Sequence, residues 1–139
     1  MTLEKNKAIV RRFNDAFNKN ELEIFYDLFA PELIDVILQL KQTITEIHKA
    51  FPDIYRPIEN IIAEGDKVWM HVNGTGTHTG EYHGIVPTGK KITFTGVVIF
   101  RIVNGKIVHM GSQVWNFMDL FKQLGAIEFT EITKRILPE

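Results

Sequence analysis

The hydrophobic period of the chain changes near residue 52, and that change organises its reading. Before it, apolar positions recur every three or four residues, the rhythm of helices with one buried face. Ile9, Val10, Phe13, Ala16 and Phe17 share a face of a first helix. Thr2 is its expected N-cap, Glu4 suits the positive end of its dipole, and Asn18-Lys19-Asn20 closes it. Leu22, Phe25, Leu28 and Phe29 point inward from a short second helix, interrupted by Ala30-Pro31. A third helix has the most regular pattern: Leu33, Ile37, Leu40, Ile44, Ile47 and Phe51, spaced four, three, four, three and four. Pro52 ends it, because a residue before proline avoids helical geometry.

Beyond Pro52 the period falls to two. Tyr55–Ala63, Lys67–Thr77, Lys91–Val103 and Lys106–Trp115 read as strands. Glu64-Gly65-Asp66 and Asn104-Gly105 are turns, and the second is a two-residue hairpin signal because both positions tolerate positive φ. The third and fourth strands are therefore expected to be antiparallel neighbours. A last helix is expected over Asp119–Leu124, stopped by Gly125, while Ile127–Leu137 fits strand or helix equally. No repeat, linker or low-complexity tract divides residues 1–139, so one domain is expected. The fold class is α+β: three N-terminal helices packed on a curved mixed, mainly antiparallel β-sheet, forming a cone with an internal pocket.

Composition narrows the function classes. The 16 Lys+Arg and 17 Asp+Glu leave a net charge of −1, with no field to draw nucleic acid or an anionic membrane. The pairs Arg11–Arg12, Lys90–Lys91 and Lys134–Arg135 read as solvated faces. No cysteine is present, which excludes disulfides, thiolate metal sites and a cysteine nucleophile. The N-terminus is polar and no apolar run is long enough to span a bilayer, so a cytoplasmic protein is expected. No histidine pair has metal-ligand spacing, and no phosphate loop, dinucleotide fingerprint or nucleophile elbow occurs.

Alternation along the last strand puts His109, Gln113 and Trp115 on one face and Val108, Met110 and Val114 on the other. With the first set in the pocket, they would serve as proton donor, polar anchor and aromatic wall. Alternatively His109 is a surface residue beside the hairpin. Trp69, His71 and Asn73 oppose Val68, Met70 and Val72. If the aliphatic set packs on the helices, His71 points outward; otherwise it lines the pocket with Trp69. His78 and His83 suit loop hydrogen bonding, with a gate at the pocket mouth the alternative for His78; His48 suits a polar helix face, and Asp53 the fixing of a turn, with a catalytic part as the lesser alternative.

A series of blocks then carries a resemblance: Ala50-Phe51-Pro52-Asp53, Ala63-Glu64-Gly65-Asp66-Lys67-Val68, Gly76-Thr77-His78-Thr79-Gly80-Glu81, Gly84-Ile85-Val86-Pro87-Thr88-Gly89-Lys90, Phe100-Arg101, Gly105-Lys106-Ile107-Val108 and Gln123-Leu124-Gly125-Ala126. In this order and spacing they resemble the SnoaL-like polyketide cyclases of the NTF2-like superfamily. The resemblance implies closure of polyketide rings by an intramolecular aldol reaction, without metal or organic cofactor. It also implies a catalytic aspartate a few residues before Gln-Leu-Gly, where an apolar pocket raises the pKa of a proton-shuttling carboxyl.

That position holds Asn116 here, or Trp115 if the gap is placed differently, and neither exchanges a proton near neutral pH. Asp119 is the candidate replacement, though an aspartate there commonly caps the following helix. His109 is the other candidate proton carrier. The loop that in this family brings a histidine and a glycine to the pocket is replaced by Pro31–Val36, so one side of the mouth is expected to be rebuilt or more open.

These residues fit two functions. One is a cofactor-free cyclase, isomerase or lyase using Asp119 or His109. The other is a non-catalytic module, either binding a small apolar molecule among Trp115, Asn116, Gln113, Phe13, Phe117, Met118 and Trp69 or serving as an interaction scaffold. In either case a homodimer is expected through the outer sheet face, since Val97-Val98-Ile99-Phe100 is apolar on both sides.

Overall fold

A computed structural model describes residues 2–128, 130 and 135, with the side chains of Ser112 and Gln113 outside the description. Helix α1 spans Leu3–Lys19; the Lys5 amide donates to the Thr2 hydroxyl at 3.1 Å, the N-cap that the sequence indicates. Asn20 closes it in the left-handed region at φ 56°. A 3₁₀ turn at Leu22–Ile24 leads into α2, Phe25–Leu28, and a second at Pro31–Leu33 runs directly into α3, Ile34–Ala50. Then come four strands: β1 Ile58–Glu64, β2 Lys67–Thr77, β3 Lys91–Val103 and β4 Lys106–Trp115. Helix α4, Phe117–Gln123, begins two residues before the pattern suggested. Most of Ile127–Leu137, whose state the pattern left open, lies outside the described residues.

The strands lie in sequence order, β1-β2-β3-β4, with every neighbouring pair antiparallel. A parallel bridge from Phe29 to Ile107 ties the end of α2 to β4. At the β3–β4 turn both Asn104 (φ 50°) and Gly105 (φ 76°) take positive φ, as a tight hairpin requires.

One face of the sheet packs on the helices. Val68, Met70, Val72, Val98, Phe100 and Ile102 are buried there, against Val10, Phe13, Phe25 and Phe29. Phe13 is the hub: its ring stacks on Phe25 at 5.0 Å between centroids and meets Phe100 edge-on at 5.1 Å. This placement turns Trp69 and His71 outward. Trp69 is half exposed on the outer face and so does not line the interior, which corrects its expected place in the ligand wall.

Strand β4 departs from simple alternation. Gly111 pairs with Ile99 and Val114 with Val97, so three steps on β4 oppose two on β3. A second irregularity separates the Arg101–His109 pair from Ile102–Ile107. Each bulge inverts the parity of the residues after it. As a result Ile107, Met110 and Trp115 face inward together, whereas His109 and Val114 are exposed. The expected grouping of His109 with Trp115, and of Met110 with Val114, is thereby overturned.

Candidate functional site: an apolar cavity holding one buried arginine

Helices α1 and α3 do not close fully on the sheet, and a cavity of about 970 Å³ remains between them. That is at the upper end of the roughly 300–1,000 Å³ usual for small-molecule sites. Phe13, Phe17, Phe51, Ile54, Ile92 and Val98 form its buried wall. Leu40 and Ile47 of α3 are only half-buried because their inward face meets the cavity and not the sheet. The rim is wet: Thr43, Glu46, Lys49, Glu81, His83 and Phe117 lie there, most of them exposed. Trp115 stands on the sheet side, its indole lying over Gly96, where an added Cβ would meet the ring at 2.1 Å.

Arg56 is the polar feature of the interior. It is 4% exposed and lines the cavity, two residues beyond the inward-facing Ile54. Two asparagines one helical turn apart on α1 position it. Asn14 Nδ2 and Asn18 Nδ2 donate to the Arg56 carbonyl at 2.9 and 3.1 Å, and the Arg56 amide donates to Asn18 Oδ1 at 2.9 Å. Asn14 Oδ1 accepts from Arg56 Nε at 2.9 Å, which orients the guanidinium itself. Its central carbon lies 3.5 Å from the Phe17 ring centroid and 5.6 Å from that of Trp115. Among the described residues no carboxylate pairs with it.

Burial pushes the Arg56 guanidinium down to about 9. The folded state binds its proton less readily than the unfolded chain, so stability rises with pH only above about 9, and at neutral pH the penalty is fully present. A shift of that size corresponds to a penalty on the order of 5 kcal/mol, which the Asn14 bond and the Phe17 face offset in part. Tyr82, also in the wall, has its phenol pushed up by burial and stays a neutral hydroxyl.

The residues singled out in the sequence divide into three groups. Phe13, Trp115, Asn116 and Phe117 do line the cavity, with Phe117 at its mouth. The two positions aligned with the expected aspartate, Trp115 and Asn116, are thus both at the site. Asn116 is also structurally committed, because its Oδ1 accepts from the Asp119 amide at 3.1 Å and caps α4. Met118 is half exposed and outside the lining, Trp69 is on the outer face, and Gln113 has a side chain outside the described residues.

Neither candidate proton carrier reaches the cavity. His109 is exposed on the outer side of β4, opposite Arg101. Asp119 borders an adjoining groove of about 490 Å³ with Tyr55, Asn73 and Thr93, which shares Phe94, Thr95 and Asn116 with the cavity. Its carboxylate accepts from Gln123 Nε2 at 2.7 Å. That amide completes the sheet edge: Gln123 Oε1 accepts from the Thr93 amide and Nε2 donates to the Thr93 carbonyl, both at 2.8 Å. β4 pairs with β3 only from Gly96 onward, so it does not reach Thr93, and Gln123 takes its place there. Asp119 therefore orients the clasp that seats α4.

His78 has the loop-bonding role its context suggested, whereas Asp53 ties its segment to the end of β2 and not to its own turn. Asp53 accepts from the Thr77 amide at 2.6 Å and its hydroxyl at 2.7 Å, and the hydroxyl bond foremost holds the carboxyl below its usual range. His78 is fully buried against Phe51, and its Nδ1 accepts from the Thr88 amide at 3.2 Å, tying down the loop after β2. Among the described residues no group of three His, Cys, Asp or Glu side chains is placed to hold a metal ion, and no helix is long and apolar enough to cross a membrane.

Arg56 and Tyr82 were not singled out by their sequence context, and His83 was read only as a loop residue. For Arg56 a signal exists: it alternates with Ile54 and Ile58 at period two, which puts an arginine on an apolar face.

Solved structures share this architecture. AclR from Streptomyces galilaeus, a candidate hydroxylase, superposes with a TM-score of 0.82 at 25% identity over 98% of this chain and 95% of its own. TsrD from Streptomyces laurentii gives 0.81 at 19% identity, over 91% and 99% of the two chains. A SnoaL-like polyketide cyclase from Agrobacterium tumefaciens gives 0.72 at 13%, over 90% and 100%. The last two likenesses speak to the fold alone. No curated protein sequence matches the chain. The family model for SnoaL-like polyketide cyclases matches residues 7–124, which takes in most of α1, the other helices, the whole sheet and the Gln123 clasp, and the chain belongs to that family.

Proposed function

We propose that the chain binds a small, mainly apolar molecule in the 970 Å³ cavity without performing the aspartate-dependent ring closure of its family. The carrying observation is a large apolar interior with no aspartate among its described lining residues. Its two carboxylates, Glu46 and Glu81, are exposed at the rim and are not held in the apolar interior. Neither Asp119 nor His109 is among its lining residues.

N-phenyl-1-naphthylamine, a neutral fluorescent probe, tests the binding. Saturable 1:1 binding in the micromolar range is expected, reduced at least tenfold by Ile44→Trp, which fills the space between α3 and the sheet. Absence of saturable binding, or binding indifferent to Ile44→Trp, would rule the cavity out as the site. Ring closure of an aromatic polyketide methyl ester above the buffer rate would overturn the non-catalytic part. If such turnover fell with Asp119→Ala at unchanged melting temperature, it would reinstate that residue.

We also propose that a second copy covers the outer sheet face. Ile62 and Trp69 are paired across β1 and β2 and are 64% and 50% exposed, and Val114 is 66% exposed on β4. Together with the half-buried Val97 and Ile99, they form an apolar surface of the kind that marks an interface. Light scattering at micromolar concentration is expected to give a dimer for the wild type and a monomer for Trp69→Glu. A wild-type monomer would dispose of this interface.

A further inference from the structure

We propose that Arg56 is the ligand's anchoring residue and that the ligand is a planar aromatic or polycyclic molecule bearing a carboxylate at the end held deepest in the cavity. This rests on the cavity binding a small molecule at all, as proposed above.

The argument begins with what the guanidinium does not do. A cation excluded from water is destabilising unless it is paired, and folded chains seldom keep one without a partner. Arg56 is 4% exposed, yet among the described residues only its Nε bonds to a side chain, through Asn14. The Nη groups have no hydrogen-bond partner among those residues. They are not sealed off either: among the described residues the buried side-chain N and O atoms left without a partner are Asn6 Oδ1 and His78 Nε2. The Nη edge therefore keeps contact with the cavity space.

The support around Arg56 has the form of a prepared receptor. Asn14 and Asn18 direct four hydrogen bonds to this one residue, three of them fixing its backbone and one its side chain. Phe17 covers one face of the guanidinium at 3.5 Å. With that face covered and Nε occupied, the remaining approach is in the guanidinium plane, along the edge carrying both Nη groups. Two parallel N–H donors on a planar fork match the two oxygens of a carboxylate.

The surroundings supply the rest of the ligand's shape. The Phe17 ring is taken up by the guanidinium, but the flat rings of Trp115 and Phe51 also line the space and suit an aromatic body. The space continues along Leu40, Ile44 and Phe51 to the wet rim. An acid entering head-first would place its charge on the buried cation and its rings against apolar walls. A neutral molecule of the same shape would leave the cation unpaired.

The test compares 2-naphthoate with methyl 2-naphthoate and with neutral N-phenyl-1-naphthylamine, by calorimetry and by fluorescence in a Trp69→Phe background. Naphthoate is expected to bind wild type at least tenfold tighter than its methyl ester. Arg56→Met, which keeps much of the length of the side chain, is expected to weaken naphthoate at least thirtyfold. The ester and the neutral probe should stay within threefold, and the melting temperature should be unchanged or higher, since an unpaired cation is removed. Asn14→Asp gives an independent check if Arg56→Met fails to fold. It offers Nε a carboxylate that neutralises the cation in place, at the cost of the Nδ2 bond to the Arg56 carbonyl, and should cost naphthoate at least tenfold with the neutral probe retained. If naphthoate shows no preference over its ester while the neutral probe binds, the anchoring role is wrong and the cavity reading stands. Equal weakening of all three ligands by both variants would assign Arg56 a structural role. If none of the three binds wild type, the cavity reading fails and takes this inference with it.

Discussion

Truncation of Phe25 to alanine is expected to lower the free energy of unfolding by about 3–5 kcal/mol. Phe25 is fully buried at the base of the molecule and does not line the cavity. It stacks on Phe13 at 5.0 Å and meets Phe29 edge-on at 5.9 Å, so its loss removes ring contacts as well as transfer free energy. Phe13 also touches Phe100, so the new space would lie where α1, α2 and β3 meet. Phe117→Ala is the matched control. That ring is 48% exposed at the cavity mouth, and its removal is expected to change stability by less than about 0.5 kcal/mol while weakening ligand capture. Urea denaturation of the two variants measures the difference. Comparable losses would mean that the aromatic cluster is not the centre of the core.

The second large effect is expected at Gly80. An added Cβ would stand 2.1 Å from the Lys49 carbonyl oxygen and 2.9 Å from its carbonyl carbon. Those are backbone atoms at the end of α3, which cannot swing aside as a side chain can. The Gly80 amide also donates to the Ala50 carbonyl at 3.1 Å, so relief of the clash would break that bond too. Gly80→Ala is therefore expected to cost about 3 kcal/mol from overpacking and a lost hydrogen bond together. Because Gly80, Glu81 and Tyr82 line the cavity, the same shift should open its rim and weaken N-phenyl-1-naphthylamine binding. Lys49→Ala should not rescue it, since the obstructing atoms are main-chain. Gly74→Ala offers the contrast. Its Cβ would meet the Phe94 ring at 2.2 Å, and Phe94→Leu should restore most of the loss. Rescue of Gly80→Ala by Lys49→Ala would show that the contact is not a backbone one.

Arg56 and Asp119 have exchanged the importance that their sequence contexts suggested. Asp119 drew attention by lying near the expected catalytic position, but its carboxylate serves Gln123, whose amide completes the β3 edge at Thr93. The Gln-Leu-Gly block thus has a structural explanation independent of any reaction. Arg56 drew none, since a lone arginine beside a proline reads as a surface residue. Its burial arises from α1, forty-two residues earlier in the chain, through Asn14.

The features that the sequence determined by itself are local. The four-three spacing of Ile37, Leu40, Ile44 and Ile47, the Thr2 cap, the Asn104-Gly105 turn and the limits of β2, β3 and β4 each depend on residues a few positions apart. Their period and turn chemistry could be read directly, and the ordered family blocks from Ala50 to Ala126 added the cone. Only the tertiary structure decided which way each wall faces. Two bulges on β4 shift the parity of its side chains, moving Trp115 inward with Met110 and leaving His109 outside. A bulge is an agreement between two strands about register, and no alternation pattern within one strand records it. The meeting of Asn14, Asn18, Phe17, Arg56 and Trp115 is of the same kind. Those residues come from α1, the segment before β1 and the end of β4, and only the closing of helix onto sheet makes them one site.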